Sequence, residues 1–106
     1  MFKDDPMIYH DDGYGVTEDS LKFFEGLKGK LGELLDIRID QNRQFTMEIQ
    51  GTHTITLLSG TNCGYGGTGP HGSLKILEML GVQVASDYIL SNEHCHIDLR
   101  NRNIRY

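Results

Sequence analysis

The chain has 106 residues, 38 % of them hydrophobic and 24 % charged, with a net charge of −5 at pH 7. That length and composition suit one domain over residues 1–106 with a modest core, and exclude a disordered polymer. No apolar run approaches the roughly 20 residues of a membrane span, and a negative surface repels phosphate backbones, so neither polynucleotide nor membrane is an expected partner. The charge is uneven: acids dominate the first nineteen residues, whereas Arg100, Arg102 and Arg105 close the chain. Those arginines can pair with the acidic stretch of the same or a neighbouring subunit, grip a small anion, or stand in solvent. Cys63 and Cys95 are too few for a disulfide scaffold and read as free thiols in a reducing compartment. The opening MFKDDPMIYHDD lacks the basic and apolar regions of a secretory leader, so the expected location is the cytoplasm.

Met7–His10 reads as a short strand closed by the turn Asp11-Asp12-Gly13. Thr17 suits an N-cap, with Glu18 and Asp19 at the positive end of a helix. Leu21, Phe24, Leu27 and Leu31 recur at helical spacing, which predicts a helix over about 18–31. Gly26, Gly29 and Gly32 weaken it by about 1 kcal/mol each and favour early termination. From Glu33 the period changes to two. Leu35, Ile37 and Ile39, then Phe45, Met47 and Ile49, then Ile55 and Leu57 define the inward faces of a three-stranded antiparallel meander.

Between this meander and the next helix lies Ser59–Gly72, SGTNCGYGGTGPHG, in which six of fourteen residues are glycine. Glycine costs conformational entropy on folding, so such a stretch is kept for close approach, positive φ or function. Leu74, Ile76, Leu77, Met79 and Leu80 predict a short, largely buried helix ended by Gly81. Val82, Val84, Tyr88 and Leu90 suggest a strand. A turn at Ser91–Glu93 and a last strand from His94, with Cys95, Ile97 and Leu99 inward, complete the order β-α-β-β-β-loop-α-β-β. The fold class is α+β: a mostly antiparallel sheet, two helices, and a long Gly-rich loop before the second.

The loop-to-helix junction is the candidate site. A helix start offers unpaired N–H groups and a positive dipole end to phosphate or carboxylate, and glycines let backbone amides turn toward a small anion. Gly67–Gly72 spells G-x-G-x-x-G between strand and helix. It begins eight residues beyond Ser59, Pro70 withholds an amide, and the chain is too short for a dinucleotide-binding sheet. The P-loop pattern fails because no Lys precedes Ser73. The expected ligand set is Asn62, Tyr65, Gly66, Gly67, Thr68, Gly69, His71, Gly72 and Ser73, joined by Arg102 if the C-terminal segment folds over the loop. Tyr14 and Tyr65 each stand in Gly-Tyr-Gly, where an aromatic ring can stack on a base or fold back over the core edge.

His94 and His96 share a strand face at a spacing used by metal ligands, but no third ligand is specified. Cys63, with His71 or His94 as base, is a possible nucleophile, and a buried inert thiol is the plainer reading. The expected function is therefore non-catalytic binding, for sensing or sequestration, of a small phosphorylated ligand such as a nucleotide or nucleotide-derived signal, with no cofactor. Two alternatives stand beside it: an interaction module of the inhibitor or immunity type using the same loop, and a small Cys/His or metal-assisted hydrolase. Self-association as a two-fold dimer is expected, because so small a domain leaves sheet edges to cover.

Overall fold

The computed structural model describes residues 5–101, so Arg102 and Arg105 lie outside the described residues. Strand β1 (Met7–His10) leads to helix α1 (Thr17–Leu27), which tightens into a 3₁₀ turn over Lys28–Lys30. Strands β2 (Leu34–Asp40), β3 (Met47–Gly51) and β4 (Thr54–Leu58) form the meander. Helices α2 (Thr68–Met79) and α3 (Ser86–Ser91) precede the last strand, β5 (His94–Asp98). The sheet runs β1-β4-β3-β2-β5, antiparallel throughout except for the β1–β4 pair. Among the described residues it is an α+β architecture of five strands and three helices, and none of those helices is long and apolar enough to cross a membrane.

One sheet face carries the core. Ile37, Ile39, Met47, Ile49 and Leu58 pack there with Phe24 of α1, Ile76 and Leu77 of α2, and Ile89 of α3. Gly72, Ser73, Ile76, Leu77 and Leu80 repeat at helical spacing on the buried side of α2, while Lys75 and Glu78 face solvent. The end of α2 is a Schellman turn. Gly81 takes φ 71°, its amide donates to Glu78 O, and the Val82 amide donates to Leu77 O. Lys28 Nζ donates to Met79 O at 3.1 Å and satisfies a further terminal carbonyl. Helix α1 ends at Leu27, where its glycines begin.

The structure corrects three expectations. Thr17 is the first helical residue rather than the cap, and its hydroxyl donates to Gly60 O. Residues 82–90 form no strand: Ser86–Ser91 is a helical turn and a half, with Asp87 in its first turn and Ile89 as its buried residue. Tyr88 lies beside β5, and its hydroxyl both receives the His96 N–H at 3.0 Å and donates to His96 O at 3.2 Å. The side chain thus occupies backbone groups on which a sixth strand would have paired. The phase of β4 is also reversed. Thr54, Thr56 and Leu58 are the buried residues, and Ile55 and Leu57 lie on the open face. Cross-strand partners share a face, and Ile49, which points into the core, pairs with Thr56.

The two parallel strands set up the site. Each feeds a helix through a loop, residues 11–16 after β1 and 59–67 after β4, and both loops leave the same end of the sheet. Buried Asp11 joins them. Its carboxylate accepts from Gly13 N, Ser59 N, Ser59 Oγ and Ser20 Oγ. The Ser20 hydroxyl in turn accepts the Gly60 amide at 2.9 Å, and Ser59 Oγ accepts the Gly15 amide at 3.0 Å. A β-carbon at Gly60 would strike the Val16 carbonyl, and one at Gly72 would strike the Thr17 methyl, so the start of α1 packs closely on Gly60 and on Gly72 of α2.

The observed phase of β4 makes a direct prediction. Leu58→Ala lowers stability by about 2–5 kcal/mol, as for a fully buried leucine, whereas Leu57→Ala costs about 1 kcal/mol or less. Urea midpoints of the two variants check the order, and a larger loss for Leu57→Ala refutes it.

Candidate ligand-binding site

Residues 59–67 are anchored at both ends and unpaired in the middle. At the near end, Thr61 O accepts from Thr46 Oγ1, Gln41 Nε2 donates to Cys63 O at 3.1 Å, and the Gly64 amide donates to Ile89 O at 2.9 Å. Gly64 is the one loop residue in the left-handed region, at φ 93°, and that reversal carries the chain away from the sheet. At the far end the His71 amide closes the first turn of α2 on Gly67 O. Between these anchors, from Tyr65 to Gly69, no backbone amide finds an acceptor among the described residues. Helix α2 starts at Gly67 with no side-chain cap and no acid in its first turn.

The expected ligand residues divide into two groups. Gly69, Pro70, Gly72 and Ser73 are buried on the core side of α2. Ser73 Oγ donates to Asn62 O at 2.7 Å and is committed within the fold. Asn62 lies against Gly69, its amide donating to Gly69 O at 3.3 Å, while Asn62 Oδ1 is buried with no hydrogen-bond partner. The outward group is Tyr65, Gly66, Thr68 and His71, all exposed, with Gly67 between them. Tyr65 is 44 % exposed and lays its ring over Gly67, where a β-carbon would meet it. His71 Nδ1 contacts Gly67 O at 2.8 Å. A carbonyl can only accept, so Nδ1 carries the proton and Nε2 faces away.

A positive φ is not what selects glycine at 67: it sits at φ −99°, ψ −168°, extended backbone open to any residue. A β-carbon on Gly66 would meet nothing within 4 Å.

Neither cysteine is poised for chemistry. Cys63 is fully buried, and burial, reinforced by nearby Cys95, pushes its thiol up to about 12. Burial likewise raises Cys95. His71 is turned to Gly67 O, and His94 is paired to Asp40 at 3.1 Å, so neither serves as base to Cys63. His96 is bonded to Asp36 at 2.6 Å, and no group of three or more His, Cys, Asp or Glu among the described residues is arranged to hold a metal ion.

Asp11, which positions the whole loop, was not legible as more than part of a turn. Two aspartates stand side by side before Gly13, and nothing in their order marks which is buried. No family model, curated protein or solved structure matches this chain.

Asp11 also makes a pH prediction. Burial pushes its carboxyl up, but the hydrogen bonds from Ser20, Ser59 and Gly13 outweigh burial and hold it below its ordinary 3.8. Its contribution to stability is therefore complete above that ordinary value and is lost as pH falls through the lower folded value. Asp11→Asn should cost about 2–3 kcal/mol at pH 7 and flatten the loss of stability as pH falls from 3.8 toward about 2. Urea titrations at the two ends test both effects, and parallel acid profiles for the two proteins refute the assignment.

Proposed function

We propose that this chain binds a small phosphate-bearing ligand, without chemistry on it, at Tyr65–Gly69 and the start of α2. A single observation carries the reading: consecutive amides without acceptors run into an uncapped helix start, where the helix dipole favours negative charge. The loop leaves the carboxyl end of β4 beside that of parallel β1, a placement common to ligand sites in sheets with such strand–loop–helix units. In this reading Thr68 adds a hydroxyl and His71 Nε2 adds a donor when protonated. Tyr65 offers a ring face to a nucleobase, which makes a nucleotide or nucleotide-derived signal the preferred class.

Exposed Tyr14, at 83 %, and Val16, at 47 %, stand on the adjoining loop, and they favour a second reading, in which the same end of the sheet docks on a protein partner. We also propose a two-fold dimer through the outer edge of β1, where Met7 and Ile8 are about 60 % exposed. Sedimentation at tens of micromolar should give a dimer mass; a monomer alone removes that part.

Gly66→Ala is the cleaner probe of the ligand site, because the added methyl enters open space in the free protein. Calorimetry with a panel of nucleotides should show binding to the wild type and at least a tenfold loss in Gly66→Ala, with melting temperatures unchanged. Equal affinities remove the loop from the site, and no binding by the wild type leaves the protein-docking reading.

A further inference from the structure

The open sheet face holds a second group of polar side chains that the loop does not use. In the β2–β5 pair Arg38 stands opposite His96 and Asp40 opposite His94. Their neighbours Ile37, Ile39 and Cys95 point to the core, so these four residues share the uncovered face. A cavity of about 310 Å³ opens there, lined by Arg38, Asp40, Arg43, Tyr88, His94 and His96. It shares no residue with Tyr65–Gly69.

The pairing within this group leaves free hydrogen-bonding capacity of one kind. Asp36 is only 2 % exposed, and its carboxylate receives Arg38 Nε at 3.1 Å and His96 Nε2 at 2.6 Å. Asp40 receives His94 Nδ1 at 3.1 Å and faces Arg43 Nε at 3.9 Å. Each arginine is thus oriented through Nε, and its terminal NH₂ groups make no hydrogen bond to the described residues. Each imidazole presents its hydrogen-bearing nitrogen to a carboxylate and turns its other nitrogen outward. The Tyr88 hydroxyl is spent on the β5 backbone. What remains is two guanidinium forks and two imidazoles that become donors on protonation.

We propose that this pocket is a binding site for a tetrahedral oxyanion, such as the phosphoryl group of a small ester. Donor-bearing side chains arrive from β2, from β5 and from the turn after β2, an arrangement that suits a group with three or more acceptor oxygens. A carboxylate offers only two. Terminal guanidinium N–H pairs match phosphoryl oxygens in bidentate geometry.

The surroundings make the binding depend on pH. Glu48 on β3 is the cross-strand partner of Arg38, and Glu93 precedes His94 in the chain. Asp98 is paired with Arg100 at 3.4 Å, and that guanidinium also lies 3.7 Å from Asp36. With neutral imidazoles these acids, together with Asp36 and Asp40, outweigh Arg38, Arg43 and Arg100. Every proton taken up by His94 or His96 adds both a charge and a donor, so affinity rises on acidification.

Amide-resolved NMR titration tests this, with potassium sulfate and potassium phosphate as probes against potassium chloride at matched ionic strength. Sulfate keeps its charge across the range and reports protonation of the protein alone. The expected result is saturable shifts at residues 38–43 and 94–96, with sulfate bound several-fold more tightly at pH 5.5 than at pH 8.0. Arg43 is largely exposed, so Arg43→Gln should fold normally and bind about tenfold more weakly, whereas Gly66→Ala should leave the shifts at residues 38–43 and 94–96 as in the wild type. Absence of saturable shifts, equal sulfate affinity in Arg43→Gln, or tighter binding of succinate than of sulfate and phosphate would each overturn the proposal. Because the Gly66 and Arg43 variants touch separate places, either site can fail without the other.

Discussion

The carboxylate of Asp11 is the constraint on which the loop end of this molecule depends. It stands where β1 finishes and draws to itself the turn at Gly13, the first turn of α1 at Ser20, and the end of β4 at Ser59. An ion taken out of water is costly unless its lone pairs are filled, and here every contact is a hydrogen bond from this chain. Burial alone would push its carboxyl up; the convergence of donors holds it below its ordinary range. The parallel pairing of β1 with β4 and the close meeting of α1 with Gly60 are both organised around that charge. Loop residues 59–67 therefore start from a fixed point, although the central amides are left without partners.

How much of this could be read in the residues varies with the physics involved. Alternation of Ile37 and Ile39 with Arg38, and of Met47 and Ile49 with Glu48, is a local pattern with a single solution, and those residues are in the core. The stretch Ile55-Thr56-Leu57-Leu58 has apolar residues on both faces. Its phase is decided by pairing across the two-residue turn after Gly51, and the outcome places Thr56 inward, its hydroxyl buried without a partner. Helix α1 stops where its glycines begin, as propensity requires. Val82–Leu90 carries β-favouring residues, yet tertiary contacts decide it: Ile89 is drawn into the core and Tyr88 is held by β5.

The candidate sites show the same division. A Gly-rich run before a helix can be noticed in one dimension, although most of its glycines and Ser73 turn out to serve packing rather than an outward surface. The pocket of Arg38, Arg43, His94 and His96 could not be noticed in that way, because half its members come from each end of a long sequence separation. Only the pairing of β2 with the final strand brings them together. Gln41 links the two regions, since its backbone amide binds Glu93 O and its side chain binds Cys63 O. The turn that follows β2 thereby touches both the base of the loop and the rim of the pocket.

The hydroxyl of Tyr88 has a geometric consequence for assembly. Seated between the N–H and carbonyl of His96, it closes the middle of one border of the sheet to any incoming strand. Among the described residues the other border is β1, and the run there is four residues long. Growth of a sheet from copy to copy requires two available borders on every molecule. A strand added edge to edge would thus find the backbone groups of His96 already taken, a difference between the two borders that rests on one hydroxyl.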